Sequence, residues 1–515
     1  MNHPRLTALL LGALSALGFE PWALWPLTLL ACAALIALLQ AAPSRKAALL
    51  LGWCFGLGQF ALGLNWLATS FTYQAAMPAW LGWIAVLLSA CYLAVYPALA
   101  TFAAWHARAR SIALVLALAG SWIVAEWLRG WVFTGFPWNP LGAVLLGPFE
   151  QPGAARALPW LGTFALSGLA ILLAGMWQIG IARFRSDRRA LILLALPLLI
   201  QLGPTLVPPA REASSKVPFA LVQPNIPQDE LNDPAKFPEN FERLATLVPP
   251  AAAGQGALLL WPESGVSDYL RSGYPAAYYF DTFGADPAVA RARLGKVVAP
   301  GRLMLTGTVD LEFRGDRAYG ARNAVTAIDG TGALTASYAK AHLVPYGEYL
   351  PMRSLLTPLG LNRLVPGDFD FLPGPGPQTL DLGKFGKAGV QICYEIVFPG
   401  HVIDAAHRPD YLFNPSNDGW FGSWGPPQHL AQARMRAIEE GMPVLRSTTT
   451  GISAVIDANG VVRQSVPLHS AGVLLGLIPR AHEPTLFART GNLLSLGWAF
   501  LLLTVSLVAL RRRRG

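Results

Sequence analysis

One thiol stands apart in this sequence. The chain has four cysteines, and Cys32, Cys54 and Cys91 fall inside long apolar stretches. There a cysteine serves as a small buried hydrophobe. Cys393 is alone in the more polar part of the chain, with no second thiol there for a disulfide. Such a thiol is either used or deeply buried. Val390-Gln391-Ile392-Cys393 predicts the end of a strand, and Tyr394-Glu395-Ile396-Val397-Phe398-Pro399 predicts a turn into a helix. A thiol at that junction feels the helix N-terminus, which lowers its pKa and raises the thiolate fraction. From this context alone, a nucleophile and a structural thiol both stay open.

A cysteine nucleophile needs a base and an electrophilic stabiliser. Histidines are few in this part of the chain, and only His342 sits in a recognisable motif. Two other features are sharper. Trp261-Pro262-Glu263-Ser264 places a carboxylate directly after an apolar strand. Tyr338-Ala339-Lys340-Ala341-His342-Leu343-Val344-Pro345-Tyr346-Gly347-Glu348 places a lysine and a glutamate eight positions apart across a Pro-containing loop. Each is weak alone, since loop carboxylates are commonly just solvated. Taken together, Glu263, Lys340 and Cys393 form a Glu/Lys/Cys constellation.

These residues need a scaffold, and composition says what kind. The chain has 515 residues, 13% charged and 53% hydrophobic, against about 25% charged in a typical globular chain. That excludes a disordered protein, an ordinary cytosolic enzyme and a fibrous repeat. The apolar residues cluster in stretches at roughly 5–19, 23–41, 47–69, 79–106, 111–133, 160–182, 190–207 and 490–510. We read these as about eight spans, since about 20 residues cross about 30 Å of hydrocarbon. A cleaved signal peptide is disfavoured for the first stretch: no small-x-small site precedes Glu20, and further spans follow at once. Basic residues fall after the second, fourth, sixth and eighth stretches, at Arg45 and Lys46, Arg108 and Arg110, Arg183 to Arg189, and Arg511 to Arg514. The positive-inside rule then puts both termini in the cytoplasm and the long polar segment outside, in the periplasm or its equivalent. The net charge of +9 is therefore read as a topology signal and not as nucleic-acid binding.

The expected organisation is a membrane bundle over 1–208, an exported domain over 209–489, and a last span with a basic tail over 490–515. The exported segment shows short β-rich runs at Phe219–Val222, Leu258–Trp261, Leu303–Val309, Ala324–Ile328, Val390–Cys393, Tyr411–Phe413, Val444–Ser447, Ile452–Ile456 and Val473–Ile478. His429–Glu440 has helical spacing, and Asp329–Gly332 and Asp457–Gly460 carry turn chemistry. The domain is therefore mixed α/β. No metal-ligand spacing or phosphate-cradling glycine motif is present, so no metal and no cofactor are expected.

The order Glu263, Lys340, Cys393 resembles the nitrilase, or carbon–nitrogen hydrolase, superfamily. Such a domain inserted before the last of about eight spans is similar to the apolipoprotein N-acyltransferase family of the bacterial inner membrane. Further motifs carry the resemblance: Glu126-Trp127-Leu128-Arg129-Gly130 with Thr134-Gly135-Phe136-Pro137-Trp138, Val222-Gln223-Pro224-Asn225-Ile226, Cys393-Tyr394-Glu395, Ser416-Asn417-Asp418-Gly419-Trp420-Phe421-Gly422 and Ala433-Arg434-Met435-Arg436-Ala437. The resemblance implies an αββα sandwich on a helical bundle. It implies Glu263 as general base, Lys340 as oxyanion stabiliser and Cys393 as nucleophile, with Glu348, Glu395 and Tyr394 in support. Glu348 and Glu395 are expected to pair with Lys340. The implied reaction is transfer of a fatty acyl chain from a phospholipid to the α-amine of a diacylglyceryl-cysteine apolipoprotein, through a thioester. One departure stands: where that family often has a Trp, this chain has Leu231-Asn232-Asp233-Pro234. Glu126 and Arg129, i and i+3 near the end of the fifth span, are read as a structural pair in preference to a lipid head-group site. The competing readings are a membrane-tethered hydrolase and a transporter or scaffold; no paired, repeated spans support the transporter.

Overall fold

The computed structural model describes residues 3–73, 78–206, 213–250, 256–359, 363 and 370–511. Arg512, Arg513 and Arg514 of the basic tail lie outside the described residues.

The N-terminal part folds as apolar helices α1 (Pro4–Ala16), α2 (Trp25–Gln40), α3 (Arg45–Gly63), α4 (Leu81–Ala107), α5 (Ser111–Arg129), α6 (Leu158–Arg183) and α7 (Ala190–Leu202). Proline in the first turn starts α1 and α2, and the Ser44 side chain caps α3 by accepting from the Ala47 N–H. Small residues let the helices close on one another: a Cβ at Gly12 of α1 would sit 1.9 Å from the Phe55 carbonyl oxygen of α3. Among the described residues, five helices are long and apolar enough to cross a membrane: α3, α4, α5, the run that ends in α6, and a C-terminal helix (Asn492–Arg511). The predicted spans at 5–19, 23–41 and 190–207 are shorter than expected, with helices of 13, 16 and 13 residues. At 1.5 Å per residue, 13 residues reach only about 20 Å. The first two are cut short by the turn through Glu20-Pro21-Trp22.

Among the described residues, twelve strands follow: β1 (Ser214–Gln223), β2 (Leu258–Leu260), β3 (Leu303–Arg314), β4 (Arg317–Asp329), β5 (Leu334–Ala339), β6 (Thr379–Asp381), β7 (Lys387–Val390), β8 (Tyr411–Ser416), β9 (Val444–Thr448), β10 (Ser453–Ile456), β11 (Val462–Val466) and β12 (Gly472–Pro479). They form two six-stranded sheets, ordered β12-β1-β2-β3-β4-β5 and β11-β10-β9-β8-β7-β6. Each sheet has three parallel strands at its centre, β1-β2-β3 and β7-β8-β9, and antiparallel strands outside them. Side chains alternate as the pleat requires. Along the first sheet, Ala220, Val222, Leu259 and Met304 meet Leu244 of α8 (Phe237–Leu247) and Ala290 and Leu294 of α9 (Pro287–Val298). The intervening Phe219, Leu221, Leu258 and Leu260 join Val390, Leu412, Leu445 and Val455 of the second sheet. Each such aliphatic side chain contributes about 1.5–3 kcal/mol when fully buried. On the far side of the second sheet lies α10 (Gly425–Glu440), longer by a turn than the predicted His429–Glu440. The layers are thus α-β-β-α.

Helix α10 joins the two parts, and its flanks are buried although its sequence is polar. The Gln428 amide accepts from the indole N–H groups of Trp66 (3.2 Å) and Trp138 (2.9 Å) and donates to the carbonyls of Glu20 and Gly63. Arg434 donates to the carbonyls of Gly147, Pro148 and Gln151. Glu439 accepts from the backbone N–H and hydroxyl of Thr163, the latter at 2.6 Å. That N–H is free because Gly162, at φ +73°, breaks the run into α6. A Cβ there would lie 2.6 Å from the Phe487 ring. The last helix, α11 (Asn492–Arg511), packs on α5 and α6 through Ser506 to the Ala113 carbonyl and Ser495 to the Leu161 carbonyl. Arg110, at the start of α5, donates to the carbonyl of Ala509, so those basic ends share one face of the bundle while Arg129 and the loop after α5 face the α/β domain.

Candidate active site

Glu263, Lys340 and Cys393 converge although they come from different strand ends. Glu263 follows β2, where the Trp261 N–H still pairs with the Leu305 carbonyl. Lys340 follows β5 and donates its own N–H to the Asn323 carbonyl at 2.8 Å. Cys393 lies three residues beyond β7. All three are buried, with relative exposures of 6%, 1% and 5%.

The Lys340 ammonium donates to Glu348 at 3.0 Å and stands 3.7 Å from Glu263. Asn323 donates to both carboxylates, at 2.7 Å to Glu263 and 2.9 Å to Glu348. The second oxygen of Glu263 takes the Asn417 N–H at 2.8 Å, and that of Glu348 takes the Val344 N–H at 2.8 Å. Burial by itself would pull the Lys340 ammonium down, but Glu348, Glu263 and Cys393 together hold it above the ordinary lysine range. The lysine is therefore a fixed positive charge next to the thiol.

The thiol differs from the expectation drawn from sequence. The strand ends at Val390, and Cys393–Val397 is a five-residue 3₁₀ turn, too short to supply the helix field expected there. Burial pushes the Cys393 thiol well above its usual value, and Glu263 adds to this. Lys340 and the Asn417 N–H oppose the rise without cancelling it. Cys393 is therefore a neutral thiol at rest, in a left-handed backbone conformation of φ +52°.

Glu348 pairs with Lys340 as expected; Glu395 does not. Its first oxygen accepts from the Tyr338 hydroxyl (2.8 Å) and from the N–H groups of Ala341 (2.8 Å) and His342 (3.1 Å). Its second oxygen accepts from the Ile392 N–H at 2.7 Å. Glu395 thus ties the backbone that follows Lys340 to the backbone that precedes Cys393. Burial raises it to about 7 in spite of these donors. Tyr394 turns toward the bundle: its hydroxyl donates to the Gly135 carbonyl at 3.2 Å, and its ring stacks 6.5 Å from that of Trp138. His342 reaches the Thr134 carbonyl at 3.0 Å, and burial holds it down at about 4. Glu126 and Arg129 set the loop behind these contacts. Glu126 accepts from the Leu141 N–H, the Trp122 indole and the Ser167 hydroxyl, and Arg129 donates to the carbonyls of Phe136 and Trp138.

Residues 219–483 match the profile of the carbon-nitrogen hydrolase family, and residues 11–176 match that of the apolipoprotein N-acyltransferase N-terminal domain. The chain is 34% identical over 534 residues to an apolipoprotein N-acyltransferase of Rhodopseudomonas palustris, across 98% of this chain and 95% of the relative. It is 36% identical over 541 residues to one from Bradyrhizobium diazoefficiens, across 99% and 95%. The chain belongs to the apolipoprotein N-acyltransferase family. Among solved structures it is similar to Saccharomyces cerevisiae Nit3, a member of branch 10 of the nitrilase superfamily, at 18% identity and a TM-score of 0.36, over 52% of this chain and 93% of that one.

Sequence reasoning missed several residues of this family member's site. Asn323, which bridges the two glutamates, stands one position before the predicted strand Ala324–Ile328. A polar residue at the edge of an apolar run was the available signal. Asn417 and Asp418 were part of a quoted motif without a role. His429 was counted only as the start of a helix. Its imidazole lies 3.0 Å from the Cys393 carbonyl oxygen and 2.9 Å from Asp418. Among the described residues, no group of three or more His, Cys, Asp or Glu is placed to hold a metal ion.

Proposed function

We propose that this chain transfers a fatty acyl group from a membrane phospholipid to the N-terminal α-amine of a diacylglyceryl-cysteine apolipoprotein, with Cys393 as nucleophile, Glu263 as base and Lys340 as oxyanion stabiliser. Family membership supports N-acylation of lipoproteins and placement in the bacterial inner membrane. The observation that carries the site assignment is the Lys340 ammonium set between Glu263 and Glu348 beside a buried thiol.

The chemistry follows from the protonation states. A neutral thiol attacks poorly, so its proton must leave as the sulfur approaches the ester carbonyl. Glu263 receives it. Negative charge develops on the carbonyl oxygen, where Lys340 and a backbone N–H near Tyr394 meet it; one such donor is worth about 3–4 kcal/mol. The tetrahedral intermediate collapses, Glu263 returns the proton to the departing alkoxide, and lysophospholipid leaves a thioester on Cys393. The apolipoprotein amine then attacks the thioester while Glu263 removes its proton, the sulfur leaves as the amide forms, and Glu263 passes that proton to it, which restores the neutral thiol. Glu348 holds the lysine charged and aimed. Glu395 fixes the two backbone segments that carry lysine and thiol, and Tyr394 connects them to the bundle.

The basic ends of the apolar helices support an orientation with the α/β domain in the periplasm and both chain termini in the cytoplasm, over about eight spans. The domain limits proposed are 1–208, 209–489 and 490–515. A single experiment tests the chemistry. The purified protein is exposed to a phospholipid with labelled acyl chains and read by intact and peptide mass spectrometry, then given a lipopeptide with a free α-amine. A labelled acyl adduct on Cys393 that passes to the amine is expected. Label recovered only as free fatty acid assigns the chain a hydrolase activity instead.

A further inference from the structure

Cys393 is held in a backbone conformation that side-chain-bearing residues adopt only when their surroundings enforce it. One buried side chain meets its carbonyl. The His429 Nε2 atom lies 3.0 Å from the Cys393 carbonyl oxygen, and the imidazole is fully buried. A carbonyl only accepts, so Nε2 carries the hydrogen. The Nδ1 atom lies 2.9 Å from an Asp418 carboxylate oxygen and 3.0 Å from the Arg446 guanidinium. The same guanidinium nitrogen grips both oxygens of Asp418, at 2.8 and 2.7 Å, and its neighbour meets the Ser416 hydroxyl at 2.9 Å. Burial and Arg446 pull the imidazole below its usual value, against Asp418 and the Cys393 carbonyl, which pull it up.

The ring is also clamped from the bundle side. It packs 5.2 Å from the Trp138 ring and 5.6 Å from that of Phe421. The preceding residue, Gln428, is gripped by Trp66, Trp138 and two bundle carbonyls. His429 therefore connects the nucleophile's own backbone to the helix through which the α/β domain is seated on the bundle.

We propose that His429 is a positioning residue for this reaction: by donating to the Cys393 carbonyl it maintains the left-handed turn that presents the thiol between Glu263 and Lys340. This rests on the thioester reading above, and the test separates the two. Full-length protein in detergent is compared with His429→Leu, which removes the donor, with His429→Asn, whose amide is too short to reach, and with His429→Gln, whose amide reaches about as far as Nε2. Two rates are measured: alkylation of Cys393 by chloroacetamide, read by peptide mapping, and single-turnover acylation by phosphatidylethanolamine vesicles.

Misplacement of a reacting atom by about 1 Å can cost up to 10²-fold. His429→Leu and His429→Asn are expected to slow both rates by about 10-fold or more with KM for lipid unchanged, and His429→Gln to recover most of the loss. If Leu does not fold, the contrast between Asn and Gln carries the test. Equal rates per folded molecule in all variants, or a change confined to KM, overturns the proposal. If no variant and no wild type is acylated, the thioester reading fails, while the alkylation series still decides the role of His429.

Discussion

Two buried charge clusters flank Cys393, one at the end of each sheet, and they are built differently. At the first sheet, the cation is Lys340, set between Glu263 and Glu348 with Asn323 bridging the pair. At the second, the cation is Arg446, whose fork holds Asp418, His429, Asn414 and Ser416. A lysine is a point charge on a flexible stem and can meet a charge that appears only during reaction. An arginine is a planar fork that locks several acceptors at once. The two sheets repeat one pattern of parallel and antiparallel pairing, and Asp418 follows β8 as Glu263 follows β2, at equivalent places. The difference teaches that equivalent places divide the work. On the proposed reading, the lysine side faces the chemistry and the arginine side holds the thiol's backbone.

Substitutions can break this division, and the largest effects belong to the lysine side. Cys393→Ala should leave no acyl adduct in the labelled-phospholipid assay. Glu263→Gln keeps the Asn417 N–H contact but cannot take the thiol proton. Single-turnover acylation should fall by about 10²–10⁴-fold. Lys340→Met removes the oxyanion charge, and the same rate should drop by about 10²–10³-fold.

On the arginine side the first casualty should be stability. Arg446→Met leaves Asp418 as an uncompensated buried charge, a loss of about 3–5 kcal/mol. Thermal unfolding in detergent should show a lowered Tm, and a kcat per folded molecule reduced more than the fold would sharpen the boundary between the two clusters. Glu348→Gln should cost about 10-fold in kcat, since one charge-assisted hydrogen bond on Lys340 becomes neutral.

The smallest expected effect is one of pH. Glu395 rises from 4.5 to about 7 on burial. Its folded form holds a proton that the unfolded chain has released, so stability falls as pH rises from about 4.5 to about 7 and is level above. Glu440, also raised to about 7, adds to the same slope. Tm measured at pH 5, 6, 7 and 8 should fall less steeply in Glu395→Gln than in the wild type.

The strands that sequence reading missed share one position, although the more apolar edge strand β12 was found. Nine runs were predicted, and Leu334–Ala339, Thr379–Asp381 and Val462–Val466 were not among them. All three are edge strands with one buried residue each, and with Thr, Ser, Arg and Gln among their residues. An edge strand buries one side only, so its apolar signal is thin, whereas the central β2 and β8 are buried throughout. The apolar helices were legible because a stretch that leaves water must be apolar along its whole length. Their ends were less so, as the short α1 and α7 show.

Within the site, Glu263, Lys340 and Cys393 were picked out by local sequence, because Glu263 follows and Cys393 closes a predicted strand run, Lys340 opens a Pro-containing loop with Glu348, and each carries its own chemical type. Local sequence equally determined that the chain divides into an apolar part and an α/β part. The protonation state of the thiol did not come that way, nor the partner of Glu395, nor any role for Asn323 and His429. Those depend on which groups the fold brings within 3 Å across gaps such as the 36 positions from Cys393 to His429 or the 276 from Thr163 to Glu439. Burial and hydrogen bonding are properties of the surrounding chain, and only the packed sheets and the seating of α10 on the bundle decided them.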